Sequence, residues 1–431
     1  MKNLSGLFKL FTRLILSATA RRTYMVFIGN GIAMLFAFLF TIIIIRLLSI
    51  SDFGYFSVIF TFLIVISELA DVGIGNSLSR FLPPLVDKKD QLLSFLKTAF
   101  SLQLGIAAVL SITIFIFSST LSNIFFHTKQ FTYLFKITSF GVFFAILANF
   151  FLYSLSALQK FLHASIISSC GGILRFVVLI LLLPLSLVTL TNVIWAQLVA
   201  YILLAIIALL FIGLHFLHTK VSIESLKKLL HFTFYLGTAR SITAIANRLD
   251  VLMLIAYTNS IETGIYATAS RVISIYPLLS GSFTTVVAPK LSTISEVSVL
   301  RKFMIKVIIV TLAMISTIIV LILIAYPFMT ILFGVKTAPA VGVFQILLLS
   351  MIFFVASIPA VSLAIYYLKK PHILTVNSIL QLFIVILGNL IFIPIYGKFG
   401  PAYSLLLAYS VTFFLTSYLS FYYYKKKIIL K

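Results

Sequence analysis

Long apolar stretches alternate with short polar connections along the whole chain. Twelve stretches reach the roughly 20 residues that a helix needs to cross a bilayer about 30 Å thick; they are centred near residues 36, 68, 106, 145, 174, 203, 243, 275, 318, 353, 384 and 411. The strict alternation of apolar and polar residues that membrane β-strands require is missing. The pattern therefore predicts an all-α integral membrane protein with twelve transmembrane helices.

Composition agrees with this prediction and restricts the chemistry. Hydrophobic residues make up 62% of the chain and charged residues 10%, which is more apolar surface than a soluble core could bury. The connections are too short for a soluble catalytic domain, and common nucleotide-binding, metalloprotease and serine-hydrolase motifs are missing. We therefore expect a protein that is not an enzyme and that has neither a cofactor nor a metal site.

The net charge of +23 is distributed unevenly. Of the 32 lysine and arginine residues, twenty-three lie in the termini and the even-numbered connections, five in the odd-numbered ones and four inside spans. By the positive-inside rule both termini are cytoplasmic, and residues 3–18 are predicted to form an amphipathic helix on the inner surface. Anionic membrane lipids account for the basic faces, so we expect no nucleic-acid partner.

Two short segments resemble each other at a spacing of 210 residues. Residues 51–56 and 261–266 each contain an acid, one further residue and a glycine, with an aromatic residue close behind. A repeat of this length predicts a duplicated half, which is common in transporters. We expect two six-helix lobes related by a parallel repeat: an N-lobe at 1–217, with the interfacial helix and six spans, and a C-lobe at 218–431.

Seven charged residues fall inside the predicted spans, where each costs about 2.5 to 3.5 kcal/mol at the bilayer centre. They are Arg175, Arg240, Arg248, Arg271, Glu68, Asp71 and Asp250. Groups this costly are expected to line an aqueous cavity. Because arginines outnumber acids and guanidinium binds phosphate through paired donors, an anionic substrate follows. Structural ion pairs among the same residues are the alternative.

The acids are candidates for coupling transport to an ion gradient. Glu68 and Asp71 are three residues apart and share one helical face, so their repulsion favours a proton on one of them. This suits coupling to H⁺ or Na⁺, and the alternative is that each acid pairs with an arginine from a facing helix. Asp250 is either a further coupling residue or the structural partner of an arginine.

Several motifs together resemble one family of membrane proteins. They are residues 46–55, 71–75 and Arg80 in the first half, and 247–257, 262–271 and 288–292 in the second. This pattern resembles the polysaccharide transport family, the O-antigen and capsule repeat-unit flippases of the multidrug/oligosaccharidyl-lipid/polysaccharide (MOP) superfamily. The resemblance covers spans 1, 2, 7 and 8, and the rest only in hydropathy. It implies a V-shaped pair of lobes with a cavity lined by those four spans.

The resemblance also implies a function. Such proteins move an undecaprenyl-pyrophosphate-linked oligosaccharide across the bacterial cytoplasmic membrane by alternating access, for O-antigen (lipopolysaccharide), capsule or other surface polysaccharide. Here Arg240, Arg248, Arg271 and Arg175 would hold the pyrophosphate or an acidic sugar. Asn30, Asn247 and Tyr266 would bind sugar hydroxyls. Expected partners are the lipid-linked oligosaccharide, membrane lipids, a polysaccharide polymerase and chain-length proteins, with H⁺ or Na⁺ left open as the coupling ion.

Three other functions are weighed against the flippase. A drug/cation antiporter on the same scaffold expects an acidic cavity lined by aromatic residues, whereas arginines predominate here. A major-facilitator carrier expects a Gly, Asp and Arg pattern in the second connection, which residues 83–89 lack. A membrane glycan polymerase expects a sizeable outer loop, and the outer connections are short.

Overall fold

The apolar stretches form α-helices, because a backbone surrounded by lipid satisfies its own hydrogen bonds within a helix. The computed structural model describes residues 18–184, 187–230, 248–294 and 296–429. These ranges consist of helices and turns and contain no β-strand. The prediction of an all-α membrane protein is confirmed for this part of the chain.

Ten helical segments among the described residues are long and apolar enough to cross a membrane. The last of them, His372–Lys427, contains two helices separated by a short turn at Gly397–Phe399. The seventh predicted span falls largely in residues 231–247, and the predicted interfacial helix falls in residues 3–18; residues 231–247 and 1–17 lie outside the described ranges. The number twelve and the cytoplasmic position of both termini therefore stay predictions.

The chain divides into two compact units. Unit 1 comprises residues 1–48 and 59–247, and unit 2 comprises residues 49–58 and 248–431. The helix Ile50–Asp71 therefore contributes its first turns to unit 2 and the remainder to unit 1. The lobe boundary predicted between residues 217 and 218 stays a prediction.

The described part of unit 1 consists of helices with short turns between them and a further helical stretch at 223–230. The helices are α1 (Ala18–Leu47), α2 (Ile50–Asp71), α3 (Ile74–Phe81), α4 (Lys89–Ile116), α5 (Ser118–Phe126), α6 (Thr132–Ala157), α7 (Phe161–Leu182) and α8 (Leu190–Ile212). α1 packs along α7, and α6 packs along α8 and α4. A Cβ atom on Gly172 of α7 would lie 2.4 Å from the carbonyl oxygen of Ala33 in α1. Glycine therefore permits the close approach of these two helices.

Unit 2 has a similar construction in its described part. Its helices after the start of α2 are α9 (Leu249–Tyr257), α10 (Ser260–Ile273), α11 (Ile275–Thr293), α12 (Val297–Leu323), α13 (Ala325–Phe333), α14 (Val341–Ala356), α15 (Ile358–Ser362), α16 (His372–Tyr396) and α17 (Gly400–Ile429). A π-helical turn, Leu363–Tyr367, follows α15. α16 and α17 pack along each other, and α14 packs against α17 and α12.

The two segments that repeat at 210 residues begin their helices in the same way. In α2, Ser49 Oγ accepts a hydrogen bond from the backbone N–H of Asp52 at 3.0 Å. In α10, Asn259 Oδ1 accepts one from the backbone N–H of Glu262 at 3.0 Å. Both are N-caps, which satisfy a backbone donor at the start of a helix. The acid of each segment thus follows its cap by three residues.

The glycines of the two repeated segments lie against each other within unit 2. A Cβ atom on Gly54 would lie 1.9 Å from the carbonyl oxygen of Ser260, and one on Gly264 would lie 2.1 Å from that of Ile50. The Ser51 and Ser260 hydroxyls are hydrogen-bonded at 2.6 Å. Only glycine at both positions allows the two helix starts to cross at this distance.

Candidate functional site

Unit 1 carries a polar cluster where α7 faces α1. Ser168 Oγ donates a hydrogen bond to Asn30 Oδ1 at 2.8 Å, and Ser169 Oγ donates to the carbonyl oxygen of Gly29 at 3.0 Å. Asn30 is exposed. Ser168 and Arg175 are seven residues, or two turns, apart, so they lie on the same face of α7. The structure thus places two sequence-predicted site residues, Asn30 and Arg175, along one helix pair.

Arg175 is held by aromatic rings. Its guanidinium carbon lies 4.9 Å from the ring centre of Tyr201 in α8 and 5.7 Å from that of Phe60 in α2. Such cation–π contacts contribute roughly 0.5 to 2 kcal/mol each, the larger value applying where water is excluded. The Nε atom of Arg175 is buried and has no hydrogen-bond partner among the described residues. The half-buried guanidinium has no carboxylate partner among the described residues. It is therefore suited to reversible binding of an anion.

The sequence-predicted acid pair lies where the helix α2 ends. Val72 (φ 42°) and Gly73 (φ 85°) have left-handed backbones, so α2 stops at Asp71 and α3 starts at Ile74. Asp71 Oδ1 accepts a hydrogen bond at 2.9 Å from the backbone N–H of Gly75, in the first turn of α3. Asp71 is 8% exposed, whereas Glu68 is exposed. The structure therefore gives Asp71 a capping role and separates the two acids in burial; their sharing of a proton stays a prediction.

Unit 2 carries a carboxylate bound by a phenol. Tyr266 of α10 is fully buried, and its hydroxyl donates a hydrogen bond to Asp250 Oδ2 at 2.5 Å. Asp250 Oδ1 accepts from the backbone N–H of Val251 at 2.9 Å. Asp250 stands in the first turn of α9, where the helix dipole favours a negative charge. The Tyr266 hydroxyl, predicted to bind a sugar, is thus engaged by Asp250.

Three further side chains lie around this carboxylate site. Tyr409 of α17 lies near Asp250, and the Gln381 side chain of α16 lies beside the Tyr409 hydroxyl. Phe354 of α14 packs on Tyr409 with ring centres 5.2 Å apart. Side chains of α10 and α17 therefore approach Asp250, and side chains of α14 and α16 border Tyr409.

The remaining arginines occupy different positions. Arg248 precedes α9 by one residue, is half-buried and acts through space on the charge of Asp250. Arg271 is half-buried in the last turn of α10, and Ser274 Oγ donates to its backbone carbonyl at 2.7 Å. Arg240 and Asn247 lie outside the described residues. Each unit thus brings together its own set, centred on Arg175 in unit 1 and on Asp250 in unit 2.

Sequence reasoning missed the aromatic residues of both sets. Phe60, Tyr201 and Tyr409 contact or approach the charged groups, yet phenylalanine, tyrosine and tryptophan make up 15% of the chain and none of these three stands out. Gln381 gave a usable signal, because an amide in an otherwise apolar helix needs a partner.

Charged groups held inside apolar helices, some without an opposite charge beside them, are typical of proteins that move polar solutes through membranes. Solved structures with a similar fold can be compared with this chain. The chain is similar to the lipid II flippase MurJ in an inward closed conformation, with a TM-score of 0.70, 18% identity, and coverage of 92% of this chain and 86% of that one. It is also similar to an inward-facing multidrug resistance MATE family transporter of the MOP superfamily, with a TM-score of 0.69, 13% identity, and coverage of 96% and 97%.

A third similar structure is a MOP superfamily transporter from Pyrococcus furiosus, described as having a binding pocket of reverse polarity that suggests a different function. The TM-score is 0.61 with 13% identity, and the alignment covers 95% of this chain and 96% of that one. At these identities the likeness shows the fold. A comparison with curated protein sequences found no match.

The fold is therefore that of the lipid II flippase and of the MOP-superfamily transporters. Residues 20–295 match the family described as polysaccharide biosynthesis protein, which is more than half of the chain. The chain belongs to this family. The predicted resemblance to polysaccharide flippases is confirmed at this level.

Proposed function

We propose that this protein is a flippase that moves a polyprenyl-pyrophosphate-linked oligosaccharide across the bacterial cytoplasmic membrane. The product would be used for a surface polysaccharide such as O-antigen or capsule, with a polymerase and chain-length proteins acting next. Family membership supports polysaccharide biosynthesis, and the fold supports alternating access between two sides of the membrane. One of the structurally similar proteins is a flippase for lipid II.

The observation that carries the proposal is the environment of Arg175. A guanidinium inside a helix of unit 1 is stacked on Tyr201 and Phe60 and keeps an unbonded, buried Nε donor. Leaving such a donor unsatisfied costs about 1 to 3 kcal/mol, and an anionic oxygen would remove that cost. A pyrophosphate or an acidic sugar supplies such oxygens. Arg240, Arg248 and Arg271 are proposed to act on the same head group, and Asn30 and Asn247 on sugar hydroxyls.

The coupling site is proposed to be Asp250. Its carboxylate accepts from one phenol and one backbone N–H, and a second tyrosine stands nearby. Protonation of the carboxyl would add an O–H donor to one of two oxygens that both accept hydrogen bonds, so the Tyr266 or the Val251 contact would weaken or reorient. Ion binding at this point thus has a structural consequence. Glu68 remains a second candidate, whereas Asp71 already caps a helix.

A drug/cation antiporter is the second candidate function, and one observation favours it. Asp250 lies among aromatic side chains in unit 2, which is the kind of site that a cationic drug requires. Against this, unit 1 holds the half-buried cation Arg175 among aromatic rings, and this charge repels such substrates.

Replacement of Arg175 tests the function. In a strain that depends on this gene for its surface polysaccharide, Arg175→Gln should lower polymer output at least about tenfold and accumulate lipid-linked repeat units, because a charge-assisted contact contributes roughly 1.5 to 3 kcal/mol. Arg175→Lys should retain part of the output, since it keeps the charge without the planar fork.

Lys136→Gln is the matched control. Lys136 is also in unit 1 and is stacked on an aromatic ring, with its Nζ 5.4 Å from the centre of Phe115. Its removal should leave polymer output unchanged. Normal polysaccharide in Arg175→Gln at normal membrane abundance would refute the role of Arg175, and loss of drug resistance with intact polysaccharide would favour the antiporter.

A further inference from the structure

One end of unit 2 carries a concentration of positive charge around an aromatic cluster. The ends of α11 and α17, the start of α12 and the π-helical turn meet there in a cluster that includes Phe303, Tyr367 and Tyr423. We call the basic residues that border it the basic rim: Lys290, Arg301, Lys302, Lys306, Lys369, Lys370, Lys425 and Lys426. The single carboxylate in these segments is the exposed Glu296. The charge of the rim is therefore largely uncompensated.

Aromatic rings position two of the rim lysines. Lys290 Nζ lies 5.3 Å from the ring centre of Phe303, and Lys370 Nζ lies 5.5 Å from that of Tyr423. Just inside the rim, Lys427 Nζ lies 4.0 Å from the ring centre of Tyr367 and donates to its carbonyl oxygen at 3.1 Å. A ring holds the stem of a lysine and leaves ammonium N–H groups to bond an anion. These lysines therefore present their charges in fixed places.

A lysine of unit 1 shows the contrast. Lys228 Nζ donates to Glu224 Oε1 at 2.6 Å, and this hydrogen bond and the charge of Lys228 hold the pKa of Glu224 below its ordinary value. Lys290, Lys302, Lys306 and Lys370 form no such pair with a carboxylate of the described chain. Their counter-charge has to come from outside the protein.

Exposed apolar side chains continue from the rim along two helices. On α12, Ile305, Ile309 and Leu312 follow Lys302 on one exposed face. On α17, Tyr418, Phe421 and Tyr422 precede Lys425 on another, with exposed fractions of 67%, 66% and 49%. Aromatic residues in this position match the level of lipid head groups, and the apolar face beyond them matches acyl chains.

We propose that the basic rim binds the phosphate of an anionic glycerophospholipid, with the head group between Lys290, Lys302 and Lys370 and the acyl chains along α12. Charge alone would attract a phosphate, but the apolar face that continues from the rim selects a lipid over a free anion. This proposal does not depend on which substrate the protein transports.

The test measures lipid binding to the full-length protein by native mass spectrometry, with cardiolipin and phosphatidylglycerol as ligands and phosphatidylcholine as the neutral comparison. The triple variant K290Q/K302Q/K370Q should bind both anionic lipids at least about tenfold more weakly. The variant K88Q/K89Q/K97Q removes the same charge from unit 1 and should bind as the unaltered protein does. Equal loss in the two variants would overturn the proposal, since any basic surface would then suffice.

Two further measurements, a comparison of single variants and a competition with inorganic pyrophosphate, complete the test. If the triple variant fails to fold, Lys370→Gln is compared with Lys369→Gln, because Lys370 stacks on the ring of Tyr423. Weaker lipid binding in Lys370→Gln supports the site, and equal binding in the two contradicts it. Inorganic pyrophosphate added at the concentration of the lipid should not displace it. Displacement as complete as that by unlabelled lipid would show that a phosphate, and not a lipid, is the occupant.

Discussion

At the scale of single residues, the partner of a buried carboxylate decides what the carboxylate can do. Asp71 accepts from a backbone N–H at the start of α3, a contact that needs an acceptor and not a charge. Asp250 accepts from the Tyr266 hydroxyl, Tyr409 lies near Asp250, and the Gln381 side chain lies beside Tyr409. The first arrangement stabilises a helix break, whereas the second responds to a change of protonation.

This difference predicts opposite outcomes for the same substitution. Asp71→Asn should retain both stability and transport, because the amide oxygen still caps α3, while Asp71→Ala should cost about 1 kcal/mol of stability. Asp250→Asn should keep normal abundance but make transport insensitive to the ion gradient. Thermal unfolding and transport in vesicles, with and without a pH or sodium gradient, measure both effects. Gradient-dependent transport in Asp250→Asn, or its loss in Asp71→Asn, would reverse the assignment.

The sequence predicted the charged residues Arg175 and Asp250 as site residues, but it did not predict the aromatic side chains that surround them. Arg175 and Asp250 stand out because a charge inside an apolar stretch is costly and must have a reason. Phe60, Tyr201 and Tyr409 are indistinguishable in sequence from the aromatic residues that face lipid or core. Only the packing of helices distant in sequence brings them to the charges, and a single sequence carries little information on that packing.

At the scale of elements, glycine positions determine where helices break and where they cross. Gly73 follows Val72 in a left-handed backbone and separates α2 from α3. A β-branched residue such as Val72 rarely adopts this conformation, so the break is held by its surroundings, including the Asp71 cap. The break was not evident from hydropathy, because apolar residues continue through it. The repeated glycines predict a duplicated half, but they did not predict that the starts of α2 and α10 cross.

Alanine substitutions test the crossing. Gly54→Ala and Gly264→Ala should each destabilise the protein by about 1 to 3 kcal/mol, because the new Cβ would meet a carbonyl oxygen. Gly281→Ala is the matched control in the helix α11, where a Cβ would have open space. It should be neutral or stabilise by up to about 1 kcal/mol. Thermal unfolding of the purified variants gives the comparison, and similar unfolding temperatures for Gly264→Ala and Gly281→Ala would contradict the close contact.

At the scale of the whole molecule, the two units do not follow the order of the chain. Residues 49–58 belong to unit 2 although they precede most of unit 1 in sequence. Hydropathy and the 210-residue repeat predict an N-lobe at 1–217 and a C-lobe at 218–431, and this boundary stays a prediction. A repeat in sequence reveals which segments are equivalent, but the contacts decide with which unit a segment folds.

Split chains provide the corresponding test. A fragment of residues 218–431 expressed alone lacks residues 49–58 and should accumulate poorly in membranes, whereas co-expression with residues 1–217 should restore it. Gly54→Ala in the first fragment should weaken this rescue, and Gly105→Ala should not, because a Cβ on Gly105 has open space. Membrane abundance measured by blotting reports the outcome. Full accumulation of 218–431 by itself would show that unit 2 does not require the missing segment.

The contact between Gly54 and Gly264 also bears on the origin of the chain. Gly54 approaches Ser260 as Gly264 approaches Ile50, and each pair is related to the other by the same 210-residue offset. Two identical half-length chains that met about a two-fold axis would make this contact twice, with one glycine serving both copies. Fusion of two such genes would preserve the contact and free each copy to change its other residues. On the predicted duplication, the glycine pair would descend from the interface of such a homodimer.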